Sequence, residues 1–309
     1  MQSCTFVATV LAVSFTTVRC GALENEWMRV PGGNFLMGTN APKMHGDGES
    51  PSRTVNVDAF EMMKYEVSNS EFKDFVEETG YVTESELFGW SFVFEGLLSE
   101  EAKASIDQSV AGANWWLPVQ SANWKQPEGE GSDVLKDRLS HPVVQVSWND
   151  ATKFCEWKKG RLPTEKEWEK AARGGKQDRM FPWGNKFMPR DEHRCNIWQG
   201  TFPVTNTKDD GYSWTAPVDA FGPQNNFGFY NMVGNVWEWT SDKWNLKVPT
   251  HQNPAAEDPN AETNEKTKRG GSFLCHKSYC FRYRVVSRSH NTADSASSNL
   301  GFRCARDVK

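Results

Sequence analysis

Several things that would announce a function are missing from these 309 residues. No apolar run reaches the roughly 20 residues that a bilayer-spanning helix needs, and no Asn-x-Ser/Thr glycosylation acceptor occurs. Formal net charge is only −5, with acids and bases interspersed, so no basic stripe awaits a phosphate backbone and nucleic acid is not an expected partner. The six histidines suggest no Ser-His-Asp order, and there is no Gly-x-Ser-x-Gly elbow. Gly32-Gly33, Gly174-Gly175 and Gly270-Gly271 lack the companions of a phosphate- or dinucleotide-binding loop. Hydrolase and nucleotide-dependent readings lose ground, and neither a KDEL-like signal nor a lipidation signal accompanies Asp307-Val308-Lys309.

What is present begins with the apolar stretch Phe6 to Val18, followed by the small residues at Cys20, Gly21 and Ala22. This reads as a secretory signal over residues 1–22, leaving one domain over 23–309. Its removal takes Cys4 and Cys20 away and leaves Cys155, Cys195, Cys275, Cys280 and Cys304 in an oxidising compartment. An odd number leaves at least one thiol unpaired.

Helical signals are few. Ser68-Asn-Ser-Glu71 is a capping box before Phe72, Phe75 and Val76, with Gly80 at the C-cap position. A second helix is predicted from about Asn149 to Lys159, burying Ala151, Phe154 and Cys155 before Gly160, and a third opens with the capping box Thr164-Glu-Lys-Glu167. Elsewhere Gly, Pro, Asn and Trp dominate, with brief alternating runs such as Arg53-Thr-Val-Asn-Val57 that suit short strands. The 14 Trp residues, including Trp115-Trp116 and Trp237-Glu-Trp239, point to a loop-rich interior held by aromatic plates. Pro254 to Lys268 is polar, charged and aperiodic, and reads as an exposed loop leading into Gly270-Gly271.

Chemistry concentrates in Gly270-Gly-Ser-Phe-Leu-Cys275-His-Lys-Ser-Tyr-Cys280-Phe-Arg-Tyr-Arg284, where two cysteines lie five positions apart among His276, Lys277, Arg282 and Arg284. Nearby cations favour thiolate, the form that attacks or binds metal. Three readings stay open on spacing alone: a structural disulfide, a redox dithiol, and a soft-metal site. The redox signature is usually Cys-x-x-Cys, and zinc needs four ligands, whereas Cu(I) accepts a pair of sulfurs and leaves room for a third. Amides and carboxylates also recur within turns at Asn196-Ile197, Asp210-Gly-Tyr212 and Asn231 to Glu238, a weak pattern for calcium.

Longer motifs are more specific. Val30-Pro-Gly-Gly-Asn-Phe-Leu-Met-Gly38, Tyr65-Glu-Val-Ser-Asn69, Trp115-Trp-Leu-Pro118, Val146-Ser-Trp-Asn-Asp150, Gly160-Arg-Leu-Pro-Thr-Glu165, Asn231-Met-Val-Gly-Asn235 and Asn299-Leu-Gly-Phe-Arg-Cys304 run through nearly the whole mature chain. With the cysteine segment, they make the sequence resemble the eukaryotic formylglycine-generating enzymes, or sulfatase-modifying factors. That resemblance implies a single α+β domain with little regular secondary structure, related to C-type lectins. It implies an oxidase that uses Cu(I) and dioxygen to turn the cysteine of a Cys-x-Pro-x-Arg motif, in unfolded or nascent sulfatases, into formylglycine. Cys275 and Cys280 match the copper ligands. Ser272, Trp237, Tyr279, Arg288 and Asn299 match residues lining the family's pocket. Asn196, Ile197, Asp210 and Tyr212 match the ligands of one Ca²⁺ ion, and Asn231, Gly234, Val236 and Glu238 those of another. Cys155 and Cys304 match a family disulfide.

The sequence also departs from the family. Ala172 and Val285 stand where a further bridge would be, Ala296 where many members have a pocket serine, and Trp90 where they have an acid. Cys195 has no family role and adjoins a proposed calcium ligand. The resemblance further implies a monomer, without a membrane span, in the lumen of the endoplasmic reticulum or secreted. Two other functions compete: a noncatalytic sulfatase-binding paralogue, which would lack the cysteine pair, and a calcium-stabilised lectin-like binding module.

Overall fold

Ser68 Oγ accepts the amide of Glu71 while the Glu71 carboxylate takes the amide of Ser68, and this reciprocal cap starts the helix Asn69–Thr79. Gly80, in the left-handed region at φ 66°, ends it. The same device opens Trp148–Trp157 at Ser147 and Glu165–Arg173 at Thr164. These are the three helices the sequence predicts, and they appear in a computed structural model that describes residues 25–246 and 264–308. The predicted signal segment, Cys4 and Cys20 lie outside the described residues. Shorter helices at Glu84–Phe88, Glu100–Ala104 and Val134–Asp137 carry too little apolar periodicity to be predicted.

Strands are short and paired over long distances. Phe60–Met63 lies between Trp27–Val30 and Ala305–Asp307 in an antiparallel sheet. Trp237–Lys243 pairs with Glu265–Arg269, which pairs in turn with Arg288–Thr292, and Leu300–Gly301 adds to the other edge of Trp237–Lys243 in parallel. Two-stranded ribbons join Gly33–Met37 to Arg53–Val57 and Trp90–Phe94 to Trp116–Gln120. The chain is thus α+β with modest regular structure, and the run at Arg53–Val57 is the strand its alternation implies.

The reading of Pro254 to Lys268 as an exposed loop needs correcting where it can be checked. Residues from Glu265 form an inner strand of the four-stranded sheet, in which Thr267, Lys268 and Arg269 are buried. The strand escapes a hydrophobic pattern because its buried side chains are cations with specific partners. Arg269 reaches Glu165 and Glu169, each at 2.7 Å, and Lys268 reaches Asn291. Residues before 264 lie outside the described part.

The core is aromatic, as the tryptophan count implies. Phe72, Phe75, Phe154 and Phe302 interlock at centroid distances of 5.3 to 6.4 Å. Losing one such buried ring costs about 3–5 kcal/mol. Beside them Cys155 and Cys304, both fully buried, form a disulfide that fastens a helix to the approach of the last strand across 149 residues. Ala172 and Val285, where the resemblance places another bridge, sit fully buried in one apolar cluster with Trp168 and Met62. Packing occupies the place of that bridge.

Interior charges come in pairs. Arg284 holds Glu49, and Arg303 holds Glu238, with all four side chains nearly inaccessible. Burial alone would raise the Glu165 carboxyl, but Arg288 and Arg269 outweigh it and hold the group at about 2. Removing one partner of such a pair costs about 3–5 kcal/mol, because it strands the other charge.

Candidate active site at the cysteine pair

The cysteine segment leaves the strand Glu265–Arg269 through Gly270 and Gly271. Gly271 has φ 73°, and a Cβ there would lie 2.9 Å from the Tyr283 nitrogen, so the turn folds back on the far end of its own segment. Cys275 N donates to Ser272 O at 2.9 Å, Cys280 N to His276 O at 2.7 Å, and Trp198 N to Cys275 O at 3.1 Å. These bonds fix the loop and hold the two Cα atoms 4.7 Å apart, with the sulfurs joined as a disulfide. In that oxidised form neither sulfur is a thiolate, so ligation of a metal requires the reduced pair.

Both cysteines line a cavity of about 320 Å³. Ser272, Trp237, Tyr279 and Asn299 line it too, so six of the seven pocket residues expected from the sequence converge. Asn299 Nδ2 donates to Ser272 Oγ at 2.9 Å, and Ser297 Oγ donates to Asn299 Oδ1 at 3.0 Å. Trp237 is aligned from the neighbouring strand, its amide donating to Asn299 O at 2.9 Å.

Arg288 is not among the lining residues. Its guanidinium binds Glu165 and the carbonyls of Asp47, Gly48 and Asn245. Arg288 and Arg269 are the first and last residues paired between their strands, and both meet Glu165. Ala296 and Trp90 line a smaller cavity of about 180 Å³, which shares Phe92 with the first.

Several lining residues escaped the sequence reading. Phe92 and Trp116 come from the ribbon Trp90–Phe94 with Trp116–Gln120, and Phe202 from the turn between Gly200–Thr201 and Thr205–Asn206. Phe202 stacks on Tyr279 at 4.3 Å with rings 5° from parallel, and Trp115 meets both edge-on. Tyr279 is 43% exposed, so this aromatic trio borders solvent. Burial of its hydroxyl environment raises the Tyr279 pKa, keeping the phenol neutral. Lys268, Ser289 and Asn291 complete the wall, and no sequence signal announces them.

The calcium sets can be tested on their donors. Asp210 Oδ2 accepts from Ile197 N and Gln199 Nε2, and Oδ1 from Tyr212 N, yet burial still raises its carboxyl. A buried carboxylate short of positive charge fits a cation. Asn196 turns its amide nitrogen to Trp214 O and Asn235 Oδ1, which leaves its oxygen for a ligand. In the second set Asn231 Oδ1 is buried without a hydrogen-bond partner, which also fits. Glu238 does not: both its oxygens are taken by Arg303, and one also by Trp168 Nε1. Gly234 touches the first set, since a Cβ on it would lie 2.6 Å from Asn196 O and 3.0 Å from Cys195 Cβ. Cys195 itself is a fully buried thiol in the aromatic core, and burial drives its pKa up, so it packs as a small apolar residue. Among the described residues no group of three or more His, Cys, Asp or Glu side chains gathers in metal-binding array.

Comparison with known proteins identifies the family and the fold. The profile of the sulfatase-modifying factor enzyme 1-like domain matches residues 17–308. The chain is 58% identical to a formylglycine-generating enzyme of Bos taurus over 90% of its own length and 74% of that protein. It is 46% identical to the inactive C-alpha-formylglycine-generating enzyme 2 of the same species, over 90% and 87%. Among solved structures, PvdO from Pseudomonas aeruginosa superposes with a TM-score of 0.62 at 22% identity, covering 91% of this chain and 94% of that one, a likeness of fold.

Proposed function

The chain belongs to the sulfatase-modifying factor enzyme 1-like family, and on that premise we propose that it oxidises a cysteine of newly made sulfatases, within Cys-x-Pro-x-Arg, to formylglycine. The observation that carries this reading is the convergence of Cys275, Cys280, Ser272, Asn299, Trp237 and Tyr279 on one cavity. Presence of both cysteines favours the catalytic over the noncatalytic branch of the family.

Reduced, the pair offers two adjacent soft thiolates, a donor set suited to Cu(I) with a position left for a substrate sulfur. Copper bound there supplies the chemistry toward dioxygen, the co-substrate. The protein's own part is positioning. Ser272 and Asn299, bonded to each other, present polar atoms where the substrate cysteine enters, and Trp237 walls the cavity beside them. The Trp115, Phe202 and Tyr279 rings border the opening and shed water from it.

Calcium fits best at Asn196, Ile197, Asp210 and Tyr212, where it stabilises loops that buttress the cysteine segment through the Trp198 to Cys275 bond. The secretory pathway, with the endoplasmic reticulum lumen first, is the compartment in which such sulfatases are met unfolded. Among the described residues no helix is long and apolar enough to cross a membrane.

The decisive experiment incubates the reduced, copper-loaded protein with a Cys-x-Pro-x-Arg peptide in air and follows formylglycine by mass. The parent should convert the peptide, and C275S and C280S should each convert none. Appreciable product from either variant sinks the reading, as does failure of the reduced parent to bind about one equivalent of Cu(I). That second failure would favour the binding module.

A further inference from the structure

The cavity contains a cation that no acid among the described residues answers. Its lining includes Lys268 and Arg282 but neither Asp nor Glu. Arg282 is neutralised from behind by Asp47, at 2.6 Å. Among the described residues Lys268 has no such partner: its Nζ donates to Asn291 Oδ1 at 2.5 Å and stands 5.1 Å from the centre of the Trp237 ring. It is 9% exposed and lines the cavity.

Strand register puts it there. Lys268 pairs with Trp239 on one side and Ser289 on the other, in the middle of the four-stranded sheet, while Arg269 turns to the opposite face and its glutamates. Against the Lys268 amine stand Asn291 and the Trp237 ring, and the cavity they line together also has Ser289 from the next strand and Tyr279, Arg282 and the two cysteines from the following loop in its wall. Arg282 is the one charged group among these lining residues. Burial first, and then Arg282, push the Lys268 ammonium down to about 7. The amine therefore exchanges a proton near neutrality instead of remaining a fixed cation.

We propose that Lys268 is the base of this pocket: its neutral amine takes the proton of the substrate cysteine thiol as that side chain enters, leaving a thiolate in the cavity. The S–H bond breaks, an N–H bond forms, the electron pair stays on sulfur, and nothing is oxidised or reduced. The product, an ammonium beside a thiolate, gives Lys268 the anion it lacks, Arg282 already being neutralised by Asp47. Asn291 Oδ1 accepts from the amine in either state and aims it. The inference rests on the activity proposed above and adds to it the residue that receives the proton.

The test is the pH profile of kcat/KM for a Cys-x-Pro-x-Arg peptide with the full chain, K268M and K268R. A free thiol with a pKa near ~8.5 is only about 3% ionised at pH 7. K268M should therefore lose up to about thirty-fold at pH 7 and regain most of it by pH 9. K268R keeps bulk and charge but cannot accept a proton, so it should share the loss, whereas a packing role would be rescued by it. A second readout needs no variant to be active. Calorimetry of peptide binding to the reduced protein at pH 8, without air and in buffers of different ionisation heat, should show the parent releasing almost no proton. An unchanged profile in K268M, or a parent that releases about one proton per peptide bound, overturns the inference. If the parent forms no formylglycine at any pH, the proposed activity itself fails; an active parent with an indifferent K268M sinks Lys268 alone.

Discussion

Asn299 Nδ2 and Ser272 Oγ are hydrogen-bonded at 2.9 Å, tying the approach to the last strand of the four-stranded sheet to the turn that launches the cysteine segment. Both side chains are buried, so breaking this link leaves polar atoms unsatisfied at the cavity wall. N299A should lower stability by about 1–3 kcal/mol and kcat/KM by about ten-fold or more. S272A added to N299A should cost little beyond the first change, because one bond is shared. Denaturant melts and steady-state kinetics on the four proteins of the cycle decide it, and strictly additive losses would show that the two residues act separately.

Arg288 gives the opposite expectation. Its guanidinium is spent on Glu165 and backbone carbonyls away from the cavity. R288M should destabilise the protein by about 1–3 kcal/mol, because Glu165 loses one of its two guanidinium partners and keeps Arg269, while the folded fraction keeps its KM within a few-fold. A stable R288M with a greatly raised KM would instead put the side chain on the substrate.

Asp150 supplies a pH dependence with a definite sign. Its carboxylate accepts from Ser147 N, Glu84 N and Tyr81 Oη, yet burial lifts its pKa to about 6. Because this folded value exceeds the unfolded one of about 4, the group favours folding when protonated. Its contribution is full below about pH 4 and is lost as pH rises through about 6. The stability of the parent relative to D150N should fall by up to about 3 kcal/mol between pH 4 and pH 7. Chemical denaturation at four pH values measures it, and parallel curves would refute it.

Calcium should raise the melting temperature of the parent, by about 2.7 kcal/mol of stabilisation at a hundred-fold excess over Kd. D210A should abolish that response. E238Q tests the second set: if Glu238 serves Arg303 rather than an ion, E238Q loses stability equally with calcium and with chelator.

The local chemistry of the fold is written where it acts. Ser68 with Glu71 and Thr164 with Glu167 announce helix starts because the capping bonds lie within three residues. The cysteine segment is legible for the same reason, its two cysteines and turn glycines being contiguous. Lys268 and Asn291 are not, since they meet only through the register between Glu265–Arg269 and Arg288–Thr292. Arg269 and Lys268 also disguise a buried strand as a polar loop, because the acids that accept Arg269 lie a hundred residues earlier. Arg288 follows the same logic: position within a motif does not reveal which face of a strand a side chain takes.

The strand Phe60–Met63 is sandwiched between Trp27–Val30 and Ala305–Asp307, so its sheet is complete only when residues far later in the sequence have joined it. Until residues 304–307 have been made, that edge stands open and the Cys155 thiol has no Cys304 to meet. Helices such as Asn69–Thr79 can form as they emerge, but closure waits for Ala305–Asp307 and is governed by the slow pairing of distant strands. A nascent chain stalled before residue 300 should therefore be chaperone-dependent and protease-sensitive, becoming resistant only once residues 304–307 have emerged.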